Sequence, residues 1–231
     1  MSARPTVLLF DIDGTLVTTG GAGRRALERA FEVFHGRADA CSHFPFDGMT
    51  DRAIVRQGLT AIDVEPTEAA IDSLLSRYVA VLEEEVARVD ASRYRVHAGM
   101  EEAVKAGLAA GMAVGLGTGN IREGARVKLE RVALFQHFAF GGFGDDDESR
   151  PALIRRGAER GAARLGVGLF EARVVVIGDT PKDVAAAQAM GAQSIGVATG
   201  NWSVQQLLDS GATWAFPTLA APGALDVLLG E

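Results

Sequence analysis

The chain has 231 residues, 48% of them from the set AVILMFWYC and 23% charged, with a formal net charge of -7. This is a globular composition, long enough for one domain, or one domain with a smaller insertion, and for a full core without covalent staples. The acidic balance without a Lys/Arg block argues against nucleic acid as a partner, and no apolar run reaches the length of a membrane span. The lone Cys41 can form no internal disulfide, which suits a reducing, cytoplasmic setting, and the short N-terminal apolar run does not read as a signal peptide.

In chain order, TVLLF at 6–10 is a continuous apolar run of the kind buried on both faces of a parallel sheet. It leads straight into DIDGTL, which sets Asp11 and Asp13 two residues apart at a strand end. From 18 to 95 the pattern turns helical and no convincing strand occurs. GAGRRALERAFEVFHG places Ala26, Leu27, Ala30, Phe31 and Phe34 at helical spacing. TEAAIDSLLSRYVAVLEEEVARV does the same with Ile71, Leu74, Leu75, Tyr78, Val79, Leu82 and Val86, and Thr67 is placed to cap it. Between the two, FDGMTDRAIVRQ at 46–57 is broken by Gly48, and Thr50 or Asp51 can cap a helix there. A segment of this length is not a loop. It is predicted as a helical domain over 18–95, inserted into an α/β core made of 1–17 and 96–231.

The core alternates. Strands are predicted at MAVGLG (112–117), ARVVVIG (172–178) and QSIGVA (193–198), with weaker ones at FAFGGF (138–143) and TWAF. Helices are predicted at about 121–132, 151–165, 181–190 and 203–210. This is the rhythm of an open parallel α/β sheet, which binds ligands at the carboxyl ends of its strands. Four groups of polar residues fall at such positions: Asp11 with Asp13; Thr118, Gly119 and Asn120; the DDDESRP stretch; and Asp179, Thr180, Pro181, Lys182 and Asp183. Several carboxylates in one crevice stay ionised only with a cation among them, and an all-oxygen set suits Mg²⁺. A hydroxyl, backbone N–H groups and a cationic side chain beside them suit a phosphate, and one carboxylate can act as nucleophile.

DIDGTL, GTGN and GDTPKD, in this order, resemble three motifs of the haloacid-dehalogenase-like phosphatases, over about 5–17 and 96–231, and the chain looks most like the phosphoglycolate-phosphatase-type hydrolases. The resemblance implies a Rossmann-like core with an inserted all-helical cap, and a small phosphorylated metabolite as substrate. It implies Asp11 as nucleophile, Asp13 as acid and base, and Mg²⁺ held by Asp11, the backbone carbonyl of Asp13 and Asp179, with Asp183 in support. Thr118 and Gly119, with Asn120 beside them, would hold the phosphoryl oxygens, and Thr15 would brace the loop. Where the family carries a lysine, this chain reads SRPALIRR, so Arg150 takes that place, with Lys128 and Lys182 as rival cations. Thr50 and Arg52 are candidates for the substrate-facing side of the cap. A sugar-phosphate mutase would use the same carboxylate, a dehalogenase would turn it on carbon with no alkoxide for Asp13 to protonate, and a non-catalytic module on this scaffold is the third alternative. The acidic turn GDDDE at 144–148 reads as a solvated surface, and the four histidines lack metal-ligand spacing.

Overall fold

The computed structural model describes residues 4–230. In chain order the elements are β1 (Thr6–Phe10), β2 (Val17–Thr18), α1 (Ala22–His35), α2 (Asp51–Ala61), α3 (Glu68–Arg88) and β3 (Arg95–Val96). Next come α4 (Met100–Ala109), β4 (Ala113–Gly117), α5 (Arg122–Glu130), β5 (Gly141–Gly142), α6 (Arg150–Arg164) and β6 (Arg173–Gly178). The chain closes with α7 (Pro181–Gln188), β7 (Gln193–Val197), α8 (Val204–Asp209), β8 (Trp214–Phe216) and α9 (Ala224–Leu229).

Six strands form one parallel sheet in the order β5-β4-β1-β6-β7-β8. β1 lies between β4 and β6, with Phe10 opposite both Leu116 and Ile177. All five of its residues are buried, and alternate side chains feed two separate cores. Leu8 and Phe10 join Val114, Val175 and Ile195 with Met100 and Val104 of α4 and Leu228 of α9. Val7 and Leu9 join Val174 and Val176 with Leu153, Ile154 and Ala158 of α6 and Ala186 of α7. Helices therefore cover both faces, which is the arrangement that the unbroken apolar strands require.

Between β2 and β3 the chain forms α1, α2 and α3, which bury a third cluster of their own, including Leu27, Phe31, Leu59, Ile71, Leu74, Tyr78 and Leu82. Thr67 caps α3 through its hydroxyl, as its position predicts. Phe34 departs from the expected stripe: the residue is 43% exposed, and its ring lies beneath the Arg77 guanidinium. β2 and β3 pair antiparallel, Val17 with Val96 and Thr18 with Arg95, so the two chain crossings into the helical unit run side by side. The boundaries expected at 17/18 and 95/96 fall inside this pair. The expected strand at 138–143 shortens to Gly141–Gly142. No helix among the described residues is long and apolar enough to cross a membrane.

Candidate active site

β1, β4 and β6 stand side by side, so the loops leaving their carboxyl ends meet. Asp11 follows β1 directly, and its backbone N–H donates to the carbonyl of Ile177 (2.9 Å), which ties it to the end of β6. Asp179 follows β6, and Asp183 sits in the first turn of α7. Oxygens of Asp11, Asp179 and Asp183 all lie within 4.8 Å of one another, and all three residues are buried. Arg150, at the start of α6, is the cation laid against them. Its Nη2 is 2.8 Å from Asp11 Oδ2 and 2.5 Å from Asp183 Oδ1, and its Nε donates to Asp183 Oδ1 (2.9 Å). Asp183 also closes a capping box with Thr180, accepting from that residue's backbone N–H and hydroxyl.

Three buried carboxylates face one guanidinium, and the proton affinities of Asp11 and Asp179 report the imbalance. Burial pushes Asp11 up to about 6, against the pull of Arg150 and with a further push from Asp183. Burial, then the charges of Asp183 and Asp11, push Asp179 up to about 8, against a hydrogen bond from the Thr15 hydroxyl (3.0 Å). Arg150 is held above its usual range: burial works against it and is outweighed by Asp11 and Asp183. The Asp179 carboxylate is wedged between two glycines. A Cβ on Gly14, whose φ is +81°, would lie 2.3 Å from Asp179 Oδ2, and one on Gly200 would lie 1.9 Å from it. The backbone is brought that close only where no side chain intervenes. An oxygen set this crowded and this negative fits a hard divalent cation.

Asp13 points elsewhere. Its Oδ2 accepts from Lys128 Nζ (2.6 Å) and Asn120 Nδ2 (2.8 Å), while its other oxygen has no hydrogen bond among the described residues. Lys128 also donates to Asn120 Oδ1 (2.5 Å), and Asn120 donates to the Thr118 hydroxyl (2.9 Å). Lys128 is buried; burial alone would lower its pKa, and the charges of Asp13 and Asp51 outweigh that. Asn120 is therefore spent on orienting Asp13 and Lys128. The three rival cations separate cleanly: Arg150 faces Asp11, Lys128 faces Asp13, and Lys182 is exposed and donates to the carbonyl of Asp47 (2.8 Å).

The helical unit lies over these strand ends and encloses, with them, a cavity of about 290 Å³. Its walls include Asp11, Asp13, Asn120, Lys128, Arg150 and Asp179 from the sheet side, and Leu27, Met49, Asp51, Ile54 and Tyr78 from the helical side. The loop before α2 rests on the second motif. The Asp51 N–H donates to the Gly119 carbonyl (2.8 Å), and a Cβ on Gly119 would lie 2.3 Å from the Met49 carbonyl oxygen. Asp51 Oδ2 in turn accepts from the Ile121 N–H (2.9 Å) at the start of α5, and burial pushes this carboxyl up to about 6. A separate hollow of about 340 Å³ at the amino ends of β6 and β7, lined by Arg4, Phe170, Arg173 and Met190, contains none of the clustered carboxylates.

Two helical-side expectations change. Arg52 does not line the cavity; it turns outward to Glu68 and to Asp72 (2.6 Å). One helical step separates it from Asp51, which faces inward, so the pair divides between wall and surface. Thr50 is buried but is occupied as the cap of α2, accepting from Ala53 N (3.2 Å) and reaching the Glu148 carbonyl (3.4 Å). The acidic turn is not merely solvated: Asp146 pairs with Arg160 (2.6 Å) and Glu148 with Arg56 (2.5 Å). Asp51, Tyr78, Thr199 and Gly200 escape a reading of motifs. Of these, the Thr199 hydroxyl donates to the Gly14 carbonyl (2.5 Å) and supports the first loop.

The sequence profile of the haloacid dehalogenase-like hydrolases matches residues 8–197, and the chain belongs to that family. No curated protein sequence matches it as a relative. Among solved structures it resembles CbbY from Rhodobacter sphaeroides, in complex with phosphate, at 17% identity over 96% of this chain and 99% of that one (TM-score 0.70). It resembles a hydrolase from Pseudomonas syringae at 18% identity over 97% and 96% (TM-score 0.68). It also resembles a predicted phosphoglycolate phosphatase from Haemophilus somnus at 16% identity over 99% and 98% (TM-score 0.66). At these identities the likeness is one of fold.

Proposed function

We propose that the chain is a Mg²⁺-dependent hydrolase of small phosphomonoesters, working through an aspartyl-phosphate on Asp11. The observation that carries this reading is the buried Asp11, Asp179 and Asp183 cluster with Arg150 laid across it. Asp11, Asp179 and the backbone carbonyl of Asp13 would hold the metal, with Asp183 in support. Bound Mg²⁺ would offset the excess negative charge and draw electron density from the phosphoryl oxygens.

An oxygen of Asp11 attacks phosphorus, the bond from phosphorus to the ester oxygen breaks, and Asp13 gives that oxygen its proton. Lys128 and Asn120 fix the orientation of Asp13 for this transfer. Arg150, the Thr118 hydroxyl and the Gly119 N–H take the charge gathering on the phosphoryl oxygens. Asp13 then accepts a proton from water as the water oxygen bonds to phosphorus. Phosphate leaves, and the Asp11 carboxylate returns. The α1–α3 unit serves as a cap that keeps bulk water out and selects the leaving group. The test is release of inorganic phosphate from a panel of phosphomonoesters, with Mg²⁺ and with a chelator. A candidate β-phosphoglucomutase from Bacteroides vulgatus shares the fold (19% identity, TM-score 0.65), so isomerised sugar phosphate is measured alongside. No release from any compound in Mg²⁺, or isomerised product in its place, would overturn the hydrolase reading.

Metal binding also has a signature in stability. Asp11 and Asp179 hold protons to about 6 and about 8 in the folded chain, against an ordinary 3.8. Between those values the folded state binds more protons than the unfolded one, so the stability of the metal-free protein falls as pH rises. Its melting temperature is expected to drop by roughly 10 °C or more from about pH 5 to about pH 8, a loss on the order of 5 kcal/mol. Mg²⁺ competes with those protons, so it should raise the melting temperature more at the higher pH. Thermal melts with and without Mg²⁺ check both slopes.

A further inference from the structure

We propose that Asp51, which belongs to the helical unit, is a positioning residue for Asp13: it holds the backbone of Asn120, whose side chain aims the Asp13 carboxyl at the ester oxygen. Resting on the hydrolase reading, this role links the helical unit to the proton-transfer step.

Asn120 is the junction. Its Nδ2 donates to Asp13 Oδ2 (2.8 Å) and to the Thr118 hydroxyl (2.9 Å), and its Oδ1 accepts from Lys128 Nζ (2.5 Å). Lys128 in turn donates to the same oxygen of Asp13 (2.6 Å). The direction in which Asp13 points therefore depends on where the Asn120 backbone sits. Two peptide units meet at that backbone. The first carries the Gly119 carbonyl, which accepts from the Asp51 N–H (2.8 Å). The second carries the Ile121 N–H, which donates to Asp51 Oδ2 (2.9 Å). One residue at the start of α2 thus grips Asn120 from both sides. The carbonyl of Asn120 itself accepts from the Gly144 N–H (2.8 Å).

The sequence shows why this grip comes from outside the loop. Helix α5 begins at Arg122, and the residue before it is Ile121, which has no side-chain oxygen to offer the first turn. Asp51 supplies an acceptor to the Ile121 N–H, and Asp145 supplies one to the Arg122 N–H. Because α5 also carries Lys128, the bond from Asp51 steadies both partners of Asp13. The approach leaves no room for side chains. A Cβ on Gly119 would lie 2.3 Å from the Met49 carbonyl oxygen, and one on Gly144 would lie 2.4 Å from the Gly119 carbonyl oxygen. The loop is clasped between the helical unit and the turn at Gly144. Alanine at position 51 would keep the backbone bond to Gly119 and strip the Ile121 N–H of its acceptor. A misplacement of about 1 Å in a group that must meet a reacting atom costs on the order of 10²-fold in rate.

The experiment compares a leaving group that needs a proton with one that does not. Propoxide must be protonated as it leaves, whereas p-nitrophenolate leaves as the anion, so Asp13 aids n-propyl phosphate far more than p-nitrophenyl phosphate. The quantity is kcat/KM, which ends at transfer of the phosphoryl group to Asp11, before the water step that needs Asp13 for both esters. In Asp51→Ala the propyl-to-nitrophenyl ratio of kcat/KM should fall at least about tenfold. Asp51→Asn keeps an acceptor oxygen for the Ile121 N–H and should hold that ratio within about threefold of wild type. A general loosening of the fold lowers both esters alike and leaves the ratio where it was. An unchanged ratio in Asp51→Ala overturns the proposal, as does an equal fall in Asp51→Asn, which would assign the effect to charge. Amide NMR reads the same link without turnover. The Asn120 side-chain resonances should shift and exchange faster with water in Asp51→Ala, and stay in place in Asp51→Asn; signals unmoved in Asp51→Ala overturn the proposal. Signals that move as expected, with no phosphate released from any ester by the wild type, would sink the hydrolase and keep the link from Asp51 to Asp13. Phosphate release with unmoved signals would do the reverse.

Discussion

Asparagine at position 11 is expected to cut phosphate release by about 10⁴-fold or more while the metal-free protein melts higher than wild type. The two effects have one cause. Asp11 is buried beside Asp179 and Asp183, and its carboxyl is pushed up to about 6 even with Arg150 alongside. Each pKa unit of upward shift costs about 1.4 kcal/mol of folding free energy once the group is ionised. An amide of the same shape removes that cost and leaves Arg150 its contact with Asp183. A gain of about 3 kcal/mol, or roughly 9 °C, is expected near pH 7.5 without metal. The amide is also no nucleophile, so the proposed aspartyl-phosphate could not form. Substantial turnover by Asp11→Asn would show that another group attacks phosphorus. A melting temperature well below wild type would show that Arg150 needs Asp11 more than the carboxylates repel one another.

Removal of Arg150 should have the opposite effect on stability and nearly as large an effect on turnover. Its guanidinium bridges Asp11 and Asp183 and is 7% exposed. Arg150→Met leaves the carboxylate cluster without its countercharge, at an expected cost of about 3–5 kcal/mol at about pH 8. The cost should shrink towards about pH 5, where protons take over that role. The loss in kcat/KM is expected at about 10³-fold, the scale seen when a fixed donor to transition-state charge is removed. Arg150→Lys keeps the charge but loses the fork that reaches both carboxylates, so it should fall between. Kinetics and melts of both variants, beside Lys128→Met, check the assignment. If Lys128→Met abolishes phosphate binding and Arg150→Met does not, the cation of the site is Lys128.

The sheet and the carboxylates at its strand ends are legible in the sequence because two physical demands coincide on the same residues. Strands buried on both faces must be apolar, and the carboxylates must follow immediately, so VLLF before Asp11 and VVVIG before Asp179 announce both at once. Asp51 and Tyr78 carry no such mark. Tyr78 sits in an apolar helical row and is buried as that row predicts; only the packing of α3 over the strand ends shows that its hydroxyl has no partner among the described residues. The outward turn of Arg52 escapes the sequence for a related reason. Sequence places it beside Asp51, and the rotation of α2, fixed by long-range packing, decides which of the two faces the cavity. The rival cations at 128, 150 and 182 are alike in type, and distance alone separates them. Helix α4 buries Met100, Ala103, Val104 and Gly107, a helical stripe whose alanine and glycine weigh little in a hydrophobic pattern. Strands β2 and β3 have two residues each, too few to show a period.

The pairing of those two short strands limits how the molecule can move. Two independent tethers would let the helical unit slide, tilt and twist over the sheet. With Val17 bonded to Val96 and Thr18 to Arg95, the crossings behave as one ribbon, braced on its side by the Thr18 hydroxyl against His97 Nε2 (3.0 Å). A ribbon bends easily across its plane and resists shear within it. A movement of the unit about this ribbon would thus be close to a single swing, which would return Tyr78 and Asp51 to the cavity wall they share with Asp11.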